Sequence, residues 1–294
     1  EDKSRRDETC LQRGLGQYKG LEKRMIPKIY AEERAKLLDD INGLRVEKDE
    51  KKRVGTLIFD RAPMNIIHFR NRAQIRALIE AMDNDPEVRV IVIRGANGVF
   101  SSGGDIAGFL KEPRDGMSDM ADDIAAPERA RKPVIAAIEK FALGVSFELA
   151  LACDFRIATE NSQMGLPEIG LGTMPGSGGT HRLAHLIGLG RAKNMIMRGR
   201  RISAQEALDW GILAEMVPDG ELDGAIDGLV EDLANRPQIP LASVKRVLNT
   251  VGDTPLHVGL ELEGQAFEKI RFGPEFEHGV EAFLEKKKAD FSEM

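Results

Sequence analysis

Length, composition and charge exclude several classes of protein. The chain has 294 residues, of which 42% are hydrophobic and 31% charged, which predicts a folded globular protein of one large domain or two modest ones. No apolar run approaches the roughly 18 residues of a transmembrane helix, and the first ten residues lack the apolar stretch of a secretory signal. The net charge of −6 disfavours nonspecific binding to nucleic acid.

The cysteine content favours a reducing compartment. Cys10 and Cys153 are the two cysteines, and they are too few and too far apart in sequence for a disulfide framework or, by themselves, a metal site. We therefore expect a cytoplasmic protein without a metal centre.

Residues 1–45 are interpreted as a charged N-terminal extension. Side chains of both charge signs are mixed there with a slight excess of positive charge, and the segment from Glu32 to Leu44 predicts a solvated amphipathic helix. No chemistry is visible in this segment. An arm that binds a partner is the alternative interpretation.

An α/β pattern follows the extension. Residues 54–60, 89–95, 134–139 and 155–159 predict strands, and the continuous apolar run of the second is typical of a strand buried on both faces. Residues 71–82 have the apolar spacing of a helix. Strands separated by helices predict βαβ units with largely parallel pairing.

Strands become scarce after about residue 176. Residues 212–217 are the last candidate, and Ser203 with Glu206 has the spacing of a helix capping box. Later helices are predicted over residues 222–233, 240–248, 258–267 and 276–288. We therefore divide the rest of the chain into a core over residues 46–200 and a helical C-terminal region over residues 201–294.

The segment GVFSSGGDI (98–106) follows a buried strand and precedes a predicted helix. Gly103 and Gly104 allow the backbone to approach a ligand closely, and exposed N–H groups at such a turn can bind an oxyanion. The structural alternative is a tight turn in which Asp105 caps a helix.

The segment FALGVSFELALACD (141–154) predicts a strand end followed by a helix that begins near Val145. A helix N-terminus presents free N–H groups and a partial positive charge, which suit an anion. Glu148 lies in the first turn among apolar side chains. It either complements the helix dipole or acts as a general acid or base whose pKa is raised by desolvation.

The glycine-rich segment GLPEIGLGTMPGSGGTHRL (165–183) matches no nucleotide-binding or serine-hydrolase motif. It does not directly follow a strand and has no acidic residue about twenty positions later, and it lacks both a phosphate loop and a G-x-S-x-G elbow around Ser177. His181 and His185 are four residues apart, but no nearby carboxylate supports a metal site. They are interpreted as surface or core histidines.

Together these segments resemble the crotonase superfamily, also called the enoyl-CoA hydratase/isomerase superfamily. The resemblance covers roughly residues 45–294 and rests on the order and spacing of five motifs. They are FSSGGDI (100–106), KPVIAAIEKFALGVSFELALACDFRIAT (132–159), GLPEIGLGTMPGSGG (165–179), GRRISAQEALDWGIL (199–213) and GVEAFLEKKKADF (279–291). The resemblance implies an α/β fold in which a spiral of ββα repeats precedes a C-terminal helical trimerisation region.

The resemblance also implies a catalytic site. Members of the superfamily bind acyl-CoA thioesters and stabilise the thioester enolate. By position, the N–H groups of Gly104 and Val145 would form the oxyanion hole, Glu148 would orient or deprotonate water, and Glu168 would deliver the proton to the α-carbon. The Gly176 N–H would help to hold Glu168. Two close carboxylates raise each other's pKa, which makes a shared proton near neutral pH plausible.

Further positions match the superfamily's CoA and substrate contacts, the last two being supplied by the C-terminal helix of a neighbouring subunit. These residues are Ala62, Met64, Ile66, Ser102, Gly103, Asp105, Ile106, Gly144, Pro167, Phe283 and Lys286. A flexible lysine suits a phosphate as a point charge. The resemblance implies a homotrimer or a dimer of trimers, with no cofactor apart from the coenzyme A that is part of the substrate.

The sequence departs from the superfamily's pattern at several positions. Val145 interrupts the usual glycine run before the first glutamate and adds a β-branched side chain beside the thioester. Ile66 and His181 replace the usual alanine and glutamine. We expect these changes to alter which acyl group is accepted.

The resemblance implies hydration of a 2-enoyl-CoA to a 3-hydroxyacyl-CoA through an oxyanion-stabilised enolate. Because relatives with both carboxylates also hydrolyse CoA esters or cleave rings and C–C bonds, these reactions are the alternative, and enoyl-CoA isomerisation is another. An RNA-binding member is less favoured, since the extension lacks a basic stripe with interleaved aromatic residues. Nucleic acid and membranes are not expected partners.

Overall fold

The computed structural model describes residues 36–111, 120–292 and 294, and a six-stranded sheet lies at its centre. Its strands are β1 (Leu44–Asp49), β2 (Val54–Phe59), β3 (Val90–Gly95), β4 (Val134–Ile138), β6 (Phe155–Thr159) and β9 (Glu215–Val217). They are ordered β1-β2-β3-β4-β6-β9, and β1 and β2 form an antiparallel hairpin. The other neighbours pair in parallel, as the sequence pattern predicts.

The buried strands face two cores. In β3, Ile91 and Ile93 belong to one cluster of buried apolar residues, whereas Val90 and Val92 belong to a second cluster on the opposite face. Because successive side chains of a strand point to opposite faces, a sheet covered on both sides requires apolar residues at every position. This explains the continuous apolar run that the sequence shows over β3.

A second, three-stranded sheet lies beside the first. It consists of β5 (Phe141–Leu143), β7 (Gln163–Gly165) and β8 (Arg201–Ser203), in the order β5-β7-β8. An isolated bridge between Ser101 and Ala142 connects the turn that follows β3 to this sheet. Strands of three residues carry too little periodicity to be recognised in a sequence.

Ten helices lie wholly within the described part of the chain and surround the sheets. They are α1 (Phe69–Asn84), α2 (Met120–Ile124), α3 (Ala126–Arg129), α4 (Val145–Ala152), α5 (Gly179–Met197), α6 (Ala204–Asp209), α7 (Leu222–Ala234), α8 (Gln238–Leu248), α9 (Leu256–Arg271) and α10 (Pro274–Leu284). Every residue of α4 is buried, and six of its eight side chains are apolar, the exceptions being Ser146 and Glu148.

The first strand begins close to the expected end of the N-terminal extension at residue 45. Residues 36–38 are helical, but Leu44 begins β1 and pairs with Phe59 instead of ending a helix. Leu38 and Leu44 are both buried in the first core. The chain therefore joins the first core before residue 45, because the side chains of Leu38 and Leu44 are part of that core. The rest of the extension, residues 1–35, lies outside the described residues.

The last strands of both sheets follow the expected boundary between the core and the C-terminal region at residue 200. β8 and β9 follow this position and complete both sheets, and α7 contributes Leu222, Ile226 and Val230 to the second core. The strand expected over residues 212–217 is limited to β9. β9 forms one edge of the six-stranded sheet, and α7 covers one face of it. The core therefore extends to residue 234.

The remaining helices, α8 to α10, pack mainly on one another. They leave several large apolar side chains exposed, among them those of Leu248, Leu256, Phe267, Phe272 and Phe283. Within the described ranges, no helix combines the length and the apolar character that crossing a membrane requires.

Candidate active site

The turn after β3 brings a backbone amide toward the start of α4. The Ser101 N–H donates to the Phe141 carbonyl at 2.8 Å, and the Gly103 carbonyl accepts the Ile67 N–H at 2.9 Å. Gly103 has φ +106°, and a Cβ at this position would lie 2.6 Å from the Leu143 carbonyl oxygen. Only glycine fits such a conformation and approach. The next amide, that of Gly104, has no acceptor among the described residues.

The second amide lies at the N-terminus of α4. Gly144, with φ +55°, precedes the helix, and Val145 is its first residue. The Val145 N–H has no intrahelical acceptor, because it belongs to the first turn. A Cβ on Gly104 would lie 3.7 Å from Val145 Cγ1, so the two turns are adjacent. Ser146 Oγ accepts the Leu143 N–H at 3.0 Å and lies 2.9 Å from the Ser101 carbonyl, which ties the turns together.

Glu148 is held in the first turn of α4 by the loop that precedes α5. Its Oε1 accepts the N–H groups of Ser177 at 2.8 Å and Gly179 at 2.9 Å. Burial raises the pKa of Glu148, while these two donors and the charges of Arg72 and Arg182 act in the opposite direction. The carboxylate form accepts both N–H bonds, so the site holds this side chain in one orientation.

Glu168 faces the start of the same helix from a 3₁₀ turn over Glu168–Leu171. Its Oε1 lies 3.2 Å from the position that a Cβ on Gly144 would occupy. Burial, with a smaller contribution from the charge of Glu148, raises the pKa of Glu168 to about 7. Its Oε2 is buried and has no hydrogen-bond partner among the described residues. This carboxyl group can therefore exchange a proton near neutral pH.

The expected hydrogen bond from Gly176 to Glu168 is not formed. In the described part of the chain, the loop before α5 donates to Glu148 instead, through the amides of Ser177 and Gly179. Gly176 itself is exposed. At the start of α5, the amides of Ser177 and Gly179 point toward α4. Tertiary packing sets this direction, so the spacing of the glycines in the sequence does not predict which glutamate the amides contact.

The loop after β2 lies along the first turn. The Met64 carbonyl accepts the Ser102 N–H at 2.9 Å, and the Asp105 N–H donates to the Ile67 carbonyl at 3.1 Å. Ile66 is half-buried, as is Pro167 just before Glu168. Ala62 and Ile106, in contrast, are exposed at the surface of these loops.

Comparison with known proteins identifies the family. The enoyl-CoA hydratase/isomerase family matches residues 49–294. The chain belongs to this family. The crotonase superfamily and the α/β fold expected from the five motifs are thereby confirmed.

Individual relatives cover most of the chain. The crotonyl-CoA hydratase of Syntrophomonas wolfei is 34% identical over 84% of this chain and 96% of its own length. The 2,3-dehydroadipyl-CoA hydratase of Escherichia coli is 36% identical over 72% of this chain and 84% of its own length. The crystal structure of enoyl-CoA hydratase from Bacillus anthracis has a TM-score of 0.79 at 31% identity and covers 86% of this chain and 100% of that chain.

The two C-terminal residues expected at the CoA site lie at the end of α10. Phe283 is 79% exposed, and Lys286 follows the helix with φ +57° and is also exposed. α10 packs mainly on α9. The role of both residues at the site of a neighbouring subunit stays a prediction.

The histidine pair of α5 lies at the surface. His181 and His185 are exposed, and within the described ranges no group of three His, Cys, Asp or Glu side chains is arranged to hold a metal ion. Cys153 is buried, and burial raises the pKa of its thiol to about 12, so it is not a thiolate near neutral pH.

One charged residue beside the amides of this enoyl-CoA hydratase/isomerase family member was not predicted from the sequence. Arg72 of α1 is buried, and its Nη2 lies 3.4 Å from the position of a Cβ on Gly104. The signal was present, since Arg72 lies three and seven residues before Ile75 and Ile79 and so shares their apolar face. An arginine at such a position is unusual for a core-facing stripe.

Proposed function

We propose that this protein is an enoyl-CoA hydratase that adds water to the C2=C3 bond of a 2-enoyl-CoA and forms a 3-hydroxyacyl-CoA. The observation that carries this proposal is a pair of glutamates, Glu148 and Glu168, on two sides of the start of α4, beside the amides of Gly104 and Val145. Relatives named as enoyl-CoA hydratases support the same activity.

The two amides bind the thioester carbonyl oxygen. When water attacks C3, the π electrons of C2=C3 move toward the thioester, and negative charge develops on this oxygen. The N–H groups of Gly104 and Val145 donate to it, and the dipole of α4 adds a partial positive charge. Because these donors are fixed by the backbone, they stabilise the enolate without reorganisation.

The two glutamates move the protons. Ionised Glu148 accepts the proton of the attacking water as the oxygen bonds to C3, since two amides already favour its carboxylate form. Protonated Glu168 then gives its proton to C2 of the enolate. Its pKa of about 7 suits this role, because both protonation states are accessible near neutral pH. Proton exchange with solvent returns both groups to their starting states.

Hydration of crotonyl-CoA by the purified protein tests the proposal. We expect 3-hydroxybutyryl-CoA in mass spectra of the products, and we expect Glu148→Gln and Glu168→Gln each to lower kcat by about 10²–10⁴-fold. The amides of Gly104 and Val145 are unchanged in both variants, so substrate binding should be nearly intact.

Glu160→Gln serves as the control, because Glu160 is an exposed glutamate at the end of β6. It should hydrate crotonyl-CoA at the wild-type rate. Release of free CoA without the hydroxyacyl product would support hydrolysis or C–C cleavage instead. Wild-type rates in Glu168→Gln would contradict the proton-transfer role of this residue.

The remaining features of the superfamily are part of the proposal. Coenzyme A enters only as part of the substrate, and no other cofactor takes part. Lys286 of one subunit binds a CoA phosphate at the site of its neighbour, with Phe283 beside the nucleotide. The protein forms a trimer or a dimer of trimers in the cytoplasm. The exposed apolar side chains of α8 to α10 support such an assembly.

A further inference from the structure

An ion pair lies behind the loop that holds Glu148. Arg182 of α5 donates from Nε and Nη2 to the two carboxylate oxygens of Glu128 in α3, both at 2.7 Å. The Arg182 side chain is only 15% exposed. Two parallel N–H bonds to one carboxylate fix both the position and the plane of a guanidinium. Glu128 therefore sets the orientation of Arg182.

The same guanidinium contacts the loop before α5. Arg182 Nη1 donates to the Ser177 carbonyl at 2.8 Å, while the Ser177 N–H donates to Glu148 Oε1 at 2.8 Å. Ser177 is only 2% exposed. Both backbone polar groups of this buried residue are thus fixed, one by Arg182 and the other by Glu148. The position of the Ser177 amide therefore depends on the guanidinium.

Gly178 lets the loop lie directly against Arg182. It has φ +98°, and a Cβ at this position would lie 2.9 Å from Arg182 Cζ. The positive φ and the close approach both favour glycine. The loop is thus shaped to accept the guanidinium between Ser177 and the start of α5.

The C-terminal helix α8 holds the other member of the ion pair. The Glu128 carbonyl accepts a bond from Asn249 Nδ2 at 3.0 Å, and the Pro127 carbonyl accepts one from Lys245 Nζ at 2.7 Å. α3 has only four residues, and a helix this short is not stable by itself. The bonds from α8 therefore help to fix Glu128 as an anchor for Arg182.

Charged groups face Glu148 from three elements, which are Arg72 of α1, Arg182 of α5 and Glu168 of the 3₁₀ turn. Burial raises the pKa of Glu148, and the charges of both arginines act in the opposite direction. An ionised Glu168 opposes them as a like charge. The two histidines of α5 are exposed.

Two further helices, α2 and α3, also pack on α4. The carboxylates of α2, Asp122 and Asp123, pair with Arg76. The carboxylate of Glu128 in α3 pairs with Arg182. These ion pairs partly neutralise the charges of both helices near α4.

We propose that Arg182, oriented by Glu128, is a positioning residue that fixes the Ser177 amide against Glu148 and so holds this carboxylate where it accepts the proton of water. This inference rests on the proposed function, because it takes Glu148 as the base. Arg182 acts through Ser177 and through its charge, and not by contact with the thioester.

Arg182→Met tests this role, because it removes the charge and the N–H donors and keeps a long side chain. We expect kcat for crotonyl-CoA to fall roughly 10–100-fold with little change in KM, since a displaced base slows the chemical step and leaves the thioester amides intact. Arg182→Lys keeps the charge without the planar fork, so its kcat should lie between those of the wild type and Arg182→Met.

The pH profile separates this role from a merely structural one. Glu148 must be ionised to act, so kcat/KM falls toward acid pH along an acid limb that follows its pKa. Loss of the Arg182 charge raises this pKa. The acid limb of Arg182→Met should therefore move to higher pH by about half a pH unit to one pH unit, whereas Arg182→Lys should keep it near its wild-type position.

Glu128→Gln tests the orientation of the guanidinium separately. It weakens the bidentate pair and leaves the charge of Arg182 in place, so kcat should fall roughly 3–10-fold without a move of the acid limb to higher pH. In the Arg182→Met background, Glu128→Gln should have no further effect on kcat, because Glu128 acts through Arg182. Equal effects in both backgrounds would contradict this coupling.

Arg200→Met is the matched control. Arg200 forms a bidentate pair of the same kind with Glu206 of α6, at 2.7 and 2.8 Å, and its side chain makes no described bond to the Ser177 loop. This variant should keep the kcat and the acid limb of the wild type.

Two outcomes would overturn the inference. One is a wild-type kcat in Arg182→Met. The other is a lower kcat in Arg182→Met with an unmoved acid limb, since Arg182 would then have a structural role only. If Arg182→Met does not fold, as judged by circular dichroism and thermal unfolding, the kcat values of Arg182→Lys and Glu128→Gln decide, and wild-type values in both would refute the role.

Failure of the proposed function has a different signature, because the wild type then hydrates no thioester. Crystal structures of the wild type and Arg182→Met, or Arg182→Lys, still test the inference in that case. The contact between the Ser177 nitrogen and Glu148 Oε1, 2.8 Å in the wild type, should lengthen beyond about 3.5 Å in the variant. An unchanged contact would refute the role of Arg182.

Discussion

The two glutamates of the site have different surroundings, and this difference assigns their roles. Glu148 Oε1 accepts two backbone N–H groups, whereas Glu168 Oε2 is buried without a partner among the described residues. Amide donors favour a charged carboxylate, and burial favours the neutral acid. Burial raises the pKa of both groups, but two backbone donors oppose this shift at Glu148, and at the scale of single residues this separates the proposed base from the proposed acid.

This separation predicts a pH dependence of hydration. A carboxyl group is protonated below its pKa, and Glu168, with a pKa of about 7, must be protonated to supply the proton to C2. We therefore expect kcat/KM for crotonyl-CoA to fall as the pH rises through about 7, approaching a tenfold loss per pH unit above it. Rates measured from about pH 5 to pH 9 at constant ionic strength check this.

The acid side of the profile depends on the other carboxyl group. Glu148 must be ionised to accept the proton of water, so kcat/KM should also fall once the pH drops below its raised pKa. A profile that stays flat between about pH 6 and pH 9 would contradict the assignment of Glu168 as the proton donor.

At the scale of elements, two helix starts build the site. The N-terminus of α4 supplies the Val145 amide and carries Glu148, and the first residue of α5, Gly179, fixes that side chain. Helix N-termini have free N–H groups, so they can serve both a ligand and a side chain without breaking secondary structure. The short strands β5 and β7 connect the start of α4 to the segment that carries Glu168, since the Gly144 N–H donates to the Gly165 carbonyl at 2.9 Å.

The approach of α5 to Glu148 predicts a sharp penalty for a single methyl group. A Cβ on Gly179 would lie 2.8 Å from Glu148 Cγ, which is closer than real Cβ contacts. Gly179→Ala should displace the carboxylate and lower kcat by about 100-fold, with a loss of thermal stability, because the site must shift to admit the methyl group. Hydration kinetics and thermal unfolding measure both effects.

Gly190→Ala is the matched control, on the part of α5 that follows a kink at Gly188. No atom lies within 4 Å of a Cβ at this position, so the change should leave kcat unaltered and stabilise α5 by about 0.5–1 kcal/mol through helix propensity. Equal kinetics for the two variants would show that Gly179 does not fix Glu148.

At the scale of the whole molecule, the C-terminal helices α8 to α10 expose several large apolar side chains to solvent. Leu256, Phe272 and Phe283 are each more than 70% exposed. Many large exposed apolar side chains on one group of helices are typical of a protein–protein interface. The core over both sheets is complete without this surface, which therefore remains available for association.

Association through these helices predicts a response to one introduced charge. Phe267 lies on α9 and is 61% exposed. If the helices form the subunit interface, Phe267→Glu should convert a trimer or hexamer into smaller species, because it buries an unpaired charge. Light scattering after size-exclusion chromatography measures the mass. Lys51→Glu, in the exposed β1–β2 turn, is the control and should keep the wild-type mass.

The long elements and the site motifs were predictable from the sequence. The strands β2, β3, β4 and β6 and the helix α1 each span enough apolar positions to show their period. β1 was missed because it is an edge strand whose outward residues are charged, and this pattern resembles that of a solvated helix.

The sequence by itself determined the family, the α/β fold and the pair of glutamates, because motif order, strand periodicity and glycine spacing are local properties of the chain. Tertiary structure alone decided that Ser177 and Gly179, and not Gly176, meet a glutamate, and that this glutamate is Glu148. It also decided that Arg72 borders the thioester turns. Such contacts join α1, α4 and α5 across the core, and their distances depend on packing between elements that the chain order does not specify.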